Sequence, residues 1–154
     1  RKDLEYLKSE VNQTSRKRIR LCVHQDDAAK MHEMFVVYTG STYVRANVHI
    51  GKDESLHILE GTADFIFFDD DGNIIDVIEL SDKSGGNNYF IRVPQKIYHT
   101  IIMRSEYMII HESTPGPFDR GDTLWAPWAP SDEDTKAVAS YQEDLEERIQ
   151  SFKK

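Results

Sequence analysis

Tyr43-Val44-Arg45-Ala46-Asn47-Val48-His49-Ile50-Gly51-Lys52-Asp53-Glu54-Ser55-Leu56-His57-Ile58-Leu59-Glu60-Gly61 is the stretch whose reading decides the fold. Its ends are strand-like, Tyr43-Val44-Arg45 before and Leu56-His57-Ile58-Leu59 after, and Gly51-Lys52-Asp53 marks a turn between them. Side chains alternate faces along a strand, so Tyr43, Arg45, Asn47 and His49 are expected to share one face. A polar row inside a closed sheet is costly unless something in the cavity satisfies it, and a metal ion would do so. His49 and Glu54 lie within this stretch, and His99 stands alone at Tyr98-His99-Thr100. Two imidazoles and one carboxylate suit a divalent transition metal such as Fe, Mn, Ni or Zn.

Outward from this stretch the pattern stays β, from Arg18 to about Glu112. Short apolar runs recur at 34–38, 43–49, 56–59, 63–68, 74–80, 89–93, 99–103 and 107–111, separated by turn signals such as Thr39-Gly40-Ser41 and Ser84-Gly85-Gly86. Seven or eight short strands at this spacing read as an all-β sandwich or barrel over about 18–112. Asp69-Asp70-Asp71-Gly72 lacks the ligand spacing of an EF-hand, and Asp-Gly between two apolar strands is a hairpin signal.

The flanks are helical. Leu4, Leu7 and Val11 recur at helical spacing and predict a short N-terminal helix. Residues 113–130 carry too many prolines for regular structure, and Trp125 and Trp128 are expected to pin that loop on the barrel wall. Ser131 with Asp134 three positions on reads as a capping box for a helix over 131–153. Val138, Tyr141, Leu145, Ile149 and Phe152 form its apolar stripe, which docks on the sheet or on a second copy.

At 154 residues the chain is expected to be one domain, 1–154. The net charge of −8 argues against nucleic acid as a partner. No apolar run approaches the roughly 20 residues that span a bilayer, so no membrane partner is expected. The single Cys22 excludes an internal disulfide and fits a reducing compartment, the cytoplasm. Against the acidic trend runs Arg16-Lys17-Arg18-Ile19-Arg20. Either it is a solvated counterion to the acidic body, or Arg18 and Arg20 point into a cavity and bind an anion.

The spacing from Asn47-Val48-His49 through Glu54 to Gly61, with Pro94-Gln95-Lys96-Ile97-Tyr98-His99 downstream, resembles the two motifs of the cupin superfamily. Asn47 stands where the motif has its first histidine, and Lys96 where the second has glycine. Arg18, Cys22-Val23-His24, Tyr43-Val44-Arg45, Glu54 to Gly61, Phe68 to Gly72, Thr114 to Phe118 and Ala126 to Pro130 are similar to WbuC-type cupin-fold metalloproteins. That resemblance implies a double-stranded β-helix (jelly roll) holding one divalent metal, in a setting of bacterial surface-polysaccharide biosynthesis. It implies His49, Glu54 and His99 as ligands. Asn47 either reaches the metal through its oxygen or hydrogen-bonds a metal-bound water, or its presence leaves the site degenerate.

Arg45, on the expected face of His49, is a candidate to hold an anionic substrate. His24 and His111, the latter beside Glu112, are candidates for acid–base work. His57 reads as structural, His32 as surface, and Tyr98 as core or interface. Val44, Val48 and Ile50 form an outward row that would suit a homodimer or meet the N-terminal strand. Three functions stand: an isomerase- or epimerase-like enzyme on a small polar, anionic or sugar-derived substrate, a non-haem Fe(II) oxygenase, and a non-catalytic binding module.

Overall fold

Leu56 and Ile58 alternate with more exposed neighbours, as the period of a half-buried strand requires. Met34 and Val36 flank the more exposed Phe35 before both faces become buried at Val37 and Tyr38. The computed structural model describes residues 2–154. Its elements are α1 (Lys2–Val11), β1 (Arg18–Cys22), β2 (Met31–Thr39), β3 (Asn47–His49), β4 (Glu54–Glu60), β5 (Thr62–Phe68), β6 (Ile74–Ser81), β7 (Phe90–Val93), β8 (Tyr98–Met103), β9 (Tyr107–Pro115), β10 (Thr123–Trp125) and α2 (Thr135–Phe152). The strands form two five-stranded sheets, ordered β1-β2-β9-β4-β7 and β10-β3-β8-β5-β6, with antiparallel pairing between the named strands. Inward side chains of both sheets, among them Met34, Val36, Ile58, Phe65, Ile101 and Met108, make one core between them. This is an all-β jelly roll with a helix at each end of the chain.

Each helix covers an outer face. Leu7 and Val11 of α1 pack on Val37 and Ile109. Leu145 and Ile149 of α2 pack on Ala46, Ile66, Phe68, Ala126 and Ala129, so the apolar stripe docks on the chain's own sheet. Full burial of such a side chain contributes roughly 1.5–3 kcal/mol. Asp134, not Ser131, caps α2: its carboxylate accepts from Ala137 N at 3.0 Å, and the helix starts four residues later than the capping-box reading places it.

Three further elements depart from expectation. The ladder of β3 begins only at Asn47, not at Tyr43. β9 runs on to Pro115, because edge and end positions tolerate a residue without an N–H. The proline- and tryptophan-rich segment is not wholly irregular, since Thr123–Trp125 pairs with β3. The Asp69–Asn73 hairpin forms as the turn chemistry dictates: the Asp69 carboxylate accepts from Asp71 N, Asn73 N and Asn73 Nδ2. Gly72 takes φ +86, and a Cβ there would stand 2.8 Å from the Trp128 indole, so no other residue fits.

Candidate metal centre

The centre lies between the two sheets. His49 ends β3 and His99 is second in β8, both on one sheet, while Glu54 opens β4 on the other. Gly51 at φ +87 turns the chain between them. One ligand atom each from His49, Glu54 and His99 lies within 4.8 Å of the other two. His49 Nε2 is 3.0 Å from Glu54 Oε1.

The remaining ring nitrogens are engaged. His49 Nδ1 hydrogen-bonds Thr123 Oγ1 at 3.1 Å, and His99 Nδ1 donates to the Ile97 carbonyl at 3.0 Å. Such bonds fix ring orientation and leave Nε2 as the nitrogen each ring can offer a cation, which at His49 would replace the proton shared with Glu54. Burial, only partly opposed by the Ile97 carbonyl and Glu54, pushes His99 below its ordinary value. Burial alone would raise Glu54, but the His49 hydrogen bond and the charges of His49, His99 and Arg20 hold it below the usual carboxylate range. The centre therefore offers a neutral imidazole and an ionised carboxylate near neutral pH. Donors about 2.1 Å from one ion lie roughly 3–4 Å apart, so small side-chain shifts close a coordination shell here.

Asn47 is buried on the same cavity wall, opposite His99 in the β3–β8 register. Its Nδ2 donates to the Arg45 carbonyl at 3.1 Å, which leaves the amide oxygen as its acceptor.

The centre opens into a cavity of about 590 Å³, a size suited to small molecules. Tyr38, Phe65, Ile101 and Ile110 form apolar wall, and Arg18, Arg20, Lys52 and Arg120 bring positive charge. Glu112 also lines it; burial first and the nearby Glu54 charge second push this carboxyl up to about 7. Arg20 is held above its ordinary value, because Glu112, Tyr38 and Glu54 outweigh the cost of its partial burial.

Other candidates lie elsewhere. Arg45 is outside the cavity, because β-alternation does not reach back before Asn47. Val44 lines the cavity instead, while the Arg45 guanidinium donates to Ala126 O at 3.3 Å and stands 5.9 Å from the Trp125 ring. His24 follows the end of β1, stacks on His32 at 4.0 Å and hydrogen-bonds Glu33 O, so it is not a cavity acid or base. His32 itself is buried, not a surface residue. His111 faces outward between Phe35 and Glu33, since Ile110 and Glu112 take the inward positions of β9.

His57 also faces outward, 5.9 Å from the Tyr89 ring. Val44 lines the cavity and Val48 is buried, so the exposed part of that apolar row shrinks to Ile50. The two tryptophans divide: Trp128 packs on Phe68 and Tyr98, and Trp125, 48% exposed, lines the cavity mouth. Thr123 and Arg120 were not readable as site residues; only the β10–β3 pairing brings that segment to the centre.

Residues 1–80 match the family described as a domain of unknown function (DUF6016). No curated protein matches the chain. Among solved structures, protein SO0799 from Shewanella oneidensis is similar at TM-score 0.60 and 11% identity, over 84% of each chain. The Cnp3 cupin domain of Schizosaccharomyces pombe is similar at TM-score 0.52 and 9% identity, over 64% of each chain. Oxalate decarboxylase from Bacillus subtilis is similar at TM-score 0.54 and 14% identity, over 70% of this chain and 27% of that one. These likenesses show a cupin fold. No helix among the described residues is long and apolar enough to cross a membrane.

Proposed function

The chain belongs to the DUF6016 family, and we propose that it is a divalent-metal-binding cupin enzyme acting on a small anionic, sugar-type molecule. One observation carries the metal assignment: His49, Glu54 and His99 converge within 4.8 Å on the wall of a cavity of about 590 Å³. The WbuC-type motifs support a setting in surface-polysaccharide biosynthesis, and a Lewis-acid centre beside an apolar wall suits isomerase- or epimerase-like chemistry next to a carbonyl.

A bound divalent ion would polarise a carbonyl or hydroxyl oxygen as a Lewis acid. The chain's own residues supply the rest. Thr123 and the Ile97 carbonyl orient the two imidazoles. Phe65, Ile101 and Ile110 exclude water beside the centre. Glu112, with its carboxyl at about 7, can hold or release a proton at Oε near neutral pH.

Metal titration of the metal-stripped protein tests the reading. We expect one equivalent of Zn(II) or Mn(II) to bind, and Glu54→Gln or His99→Ala to weaken it at least a hundredfold. Unchanged binding in both variants would overturn it. The same two-histidine, one-carboxylate set is that of non-haem Fe(II) oxygenases. Anaerobic Fe(II) loading followed by oxygen uptake with candidate sugar acids separates that chemistry from isomerisation, which consumes no oxygen.

A further inference from the structure

We propose that Arg18 and Arg20 form an oxyanion-binding subsite, so that the ligand spans two anchors: an oxygen donor at the triad and a carboxylate or phosphate at the guanidinium pair. The first anchor rests on the metal reading above; the second does not.

Arg18 and Arg20 are two positions apart on β1, hence on one face and roughly 7 Å apart along the strand. Both line the cavity that holds His49, Glu54 and His99. A counterion role for this basic run holds only at Arg16, whose guanidinium meets Asp132 at 2.6 Å. Lys52 is likewise occupied, by Asp122 at 3.3 Å. Among the described residues, Arg18 and Arg20 have neither an ion pair nor a side-chain hydrogen bond. Glu54 and Glu112 are the acids that line the cavity, and neither comes within salt-bridge distance of these two guanidinium groups.

Five cationic side chains against two carboxylates line this cavity in a chain of net charge −8. Two planar forks without protein partners, facing one small space, match a carboxylate or phosphate bidentately. Because β1 is an edge strand pairing only with β2, an anion can reach the pair from solvent.

Calorimetric titration of the metal-stripped protein at low salt, with inorganic phosphate and with malonate, tests this. We expect one saturable site, weakened at least tenfold in Arg18→Gln/Arg20→Gln. Tighter phosphate binding would mark a phosphorylated ligand, and tighter malonate binding a carboxylated one. Absence of saturable binding by either anion, or equal binding in the double variant, overturns the subsite. Should that variant fail to fold, arginine modification of the wild type by phenylglyoxal decides. Bound anion is expected to slow labelling at positions 18 and 20, and unaltered labelling there overturns the proposal. Metal titration of the same samples keeps the readings apart. Anion binding without metal binding would sink the metal centre alone, and metal binding without anion binding the subsite alone.

Discussion

Lys96 shows how one residue departs from a motif without changing the fold. The second cupin motif has glycine there, and Lys96 takes φ +63 while its N–H bonds the His49 carbonyl at 2.8 Å. A left-handed backbone costs a residue with a Cβ about 1–2 kcal/mol, partly offset by its stiffer unfolded chain. Lys96→Gly is therefore expected to raise stability by about 0.5–1 kcal/mol in urea unfolding, and a loss would contradict this account of the turn. Glu112 gives a second prediction. Its folded value of about 7 lies above the ordinary 4.5, so the folded state holds the proton more tightly. The stability this confers is complete below about pH 4.5 and is lost as pH rises through 7. In the metal-free protein, Glu112→Gln should gain on the wild type by about 3 kcal/mol between pH 4.5 and 8. A pH-independent difference between the two would contradict the burial assigned to this carboxyl.

At the scale of elements, strands with long apolar runs were legible and the shortest ones were not. β2, β5 and β9 announce themselves by apolar runs, whereas β3 holds three ladder residues and β10 emerges from a proline-rich segment. Arg45 was misplaced for that reason: alternation is a property of paired backbone, and pairing starts at Asn47. His111 was preferred over Glu112 by residue type, although the strand period already puts Glu112 on the face of Ile110. For α2 the sequence carried the stripe but not the cap, because Ser131 and Asp134 are both good capping residues and only the backbone chooses between them. Leu145 and Ile149 are fully buried where that helix meets the sheet. Leu145→Ala should cost about 2–5 kcal/mol of global stability, read by thermal or urea unfolding. A loss under 1 kcal/mol would mean that α2 is not docked as described.

The whole molecule joins two sheets through its centre, since His49 and His99 belong to one and Glu54 to the other. An ion gripped there binds the folded chain and not the unfolded one. At a hundredfold excess over Kd it adds about 2.7 kcal/mol of stability. The melting temperature should therefore rise with Zn(II) or Mn(II) and return on chelation, and His99→Ala should abolish the rise. Its pH dependence follows from the ligands. The His99 ring, held below its ordinary value by burial, stays neutral further into acid than a free imidazole, and binding weakens once that ring takes a proton. The fold and the convergence of His49, Glu54 and His99 were legible because motif spacing survives in sequence. The cationic wall was legible only as an alternative, because its meaning depends on which arginines find partners in space. Crystals soaked in Zn(II) and measured across the zinc edge address the centre most directly. An anomalous peak about 2.0–2.2 Å from His49, Glu54 and His99 is the predicted result. A featureless map at that point under saturating zinc, or a peak held by other residues, would contradict it.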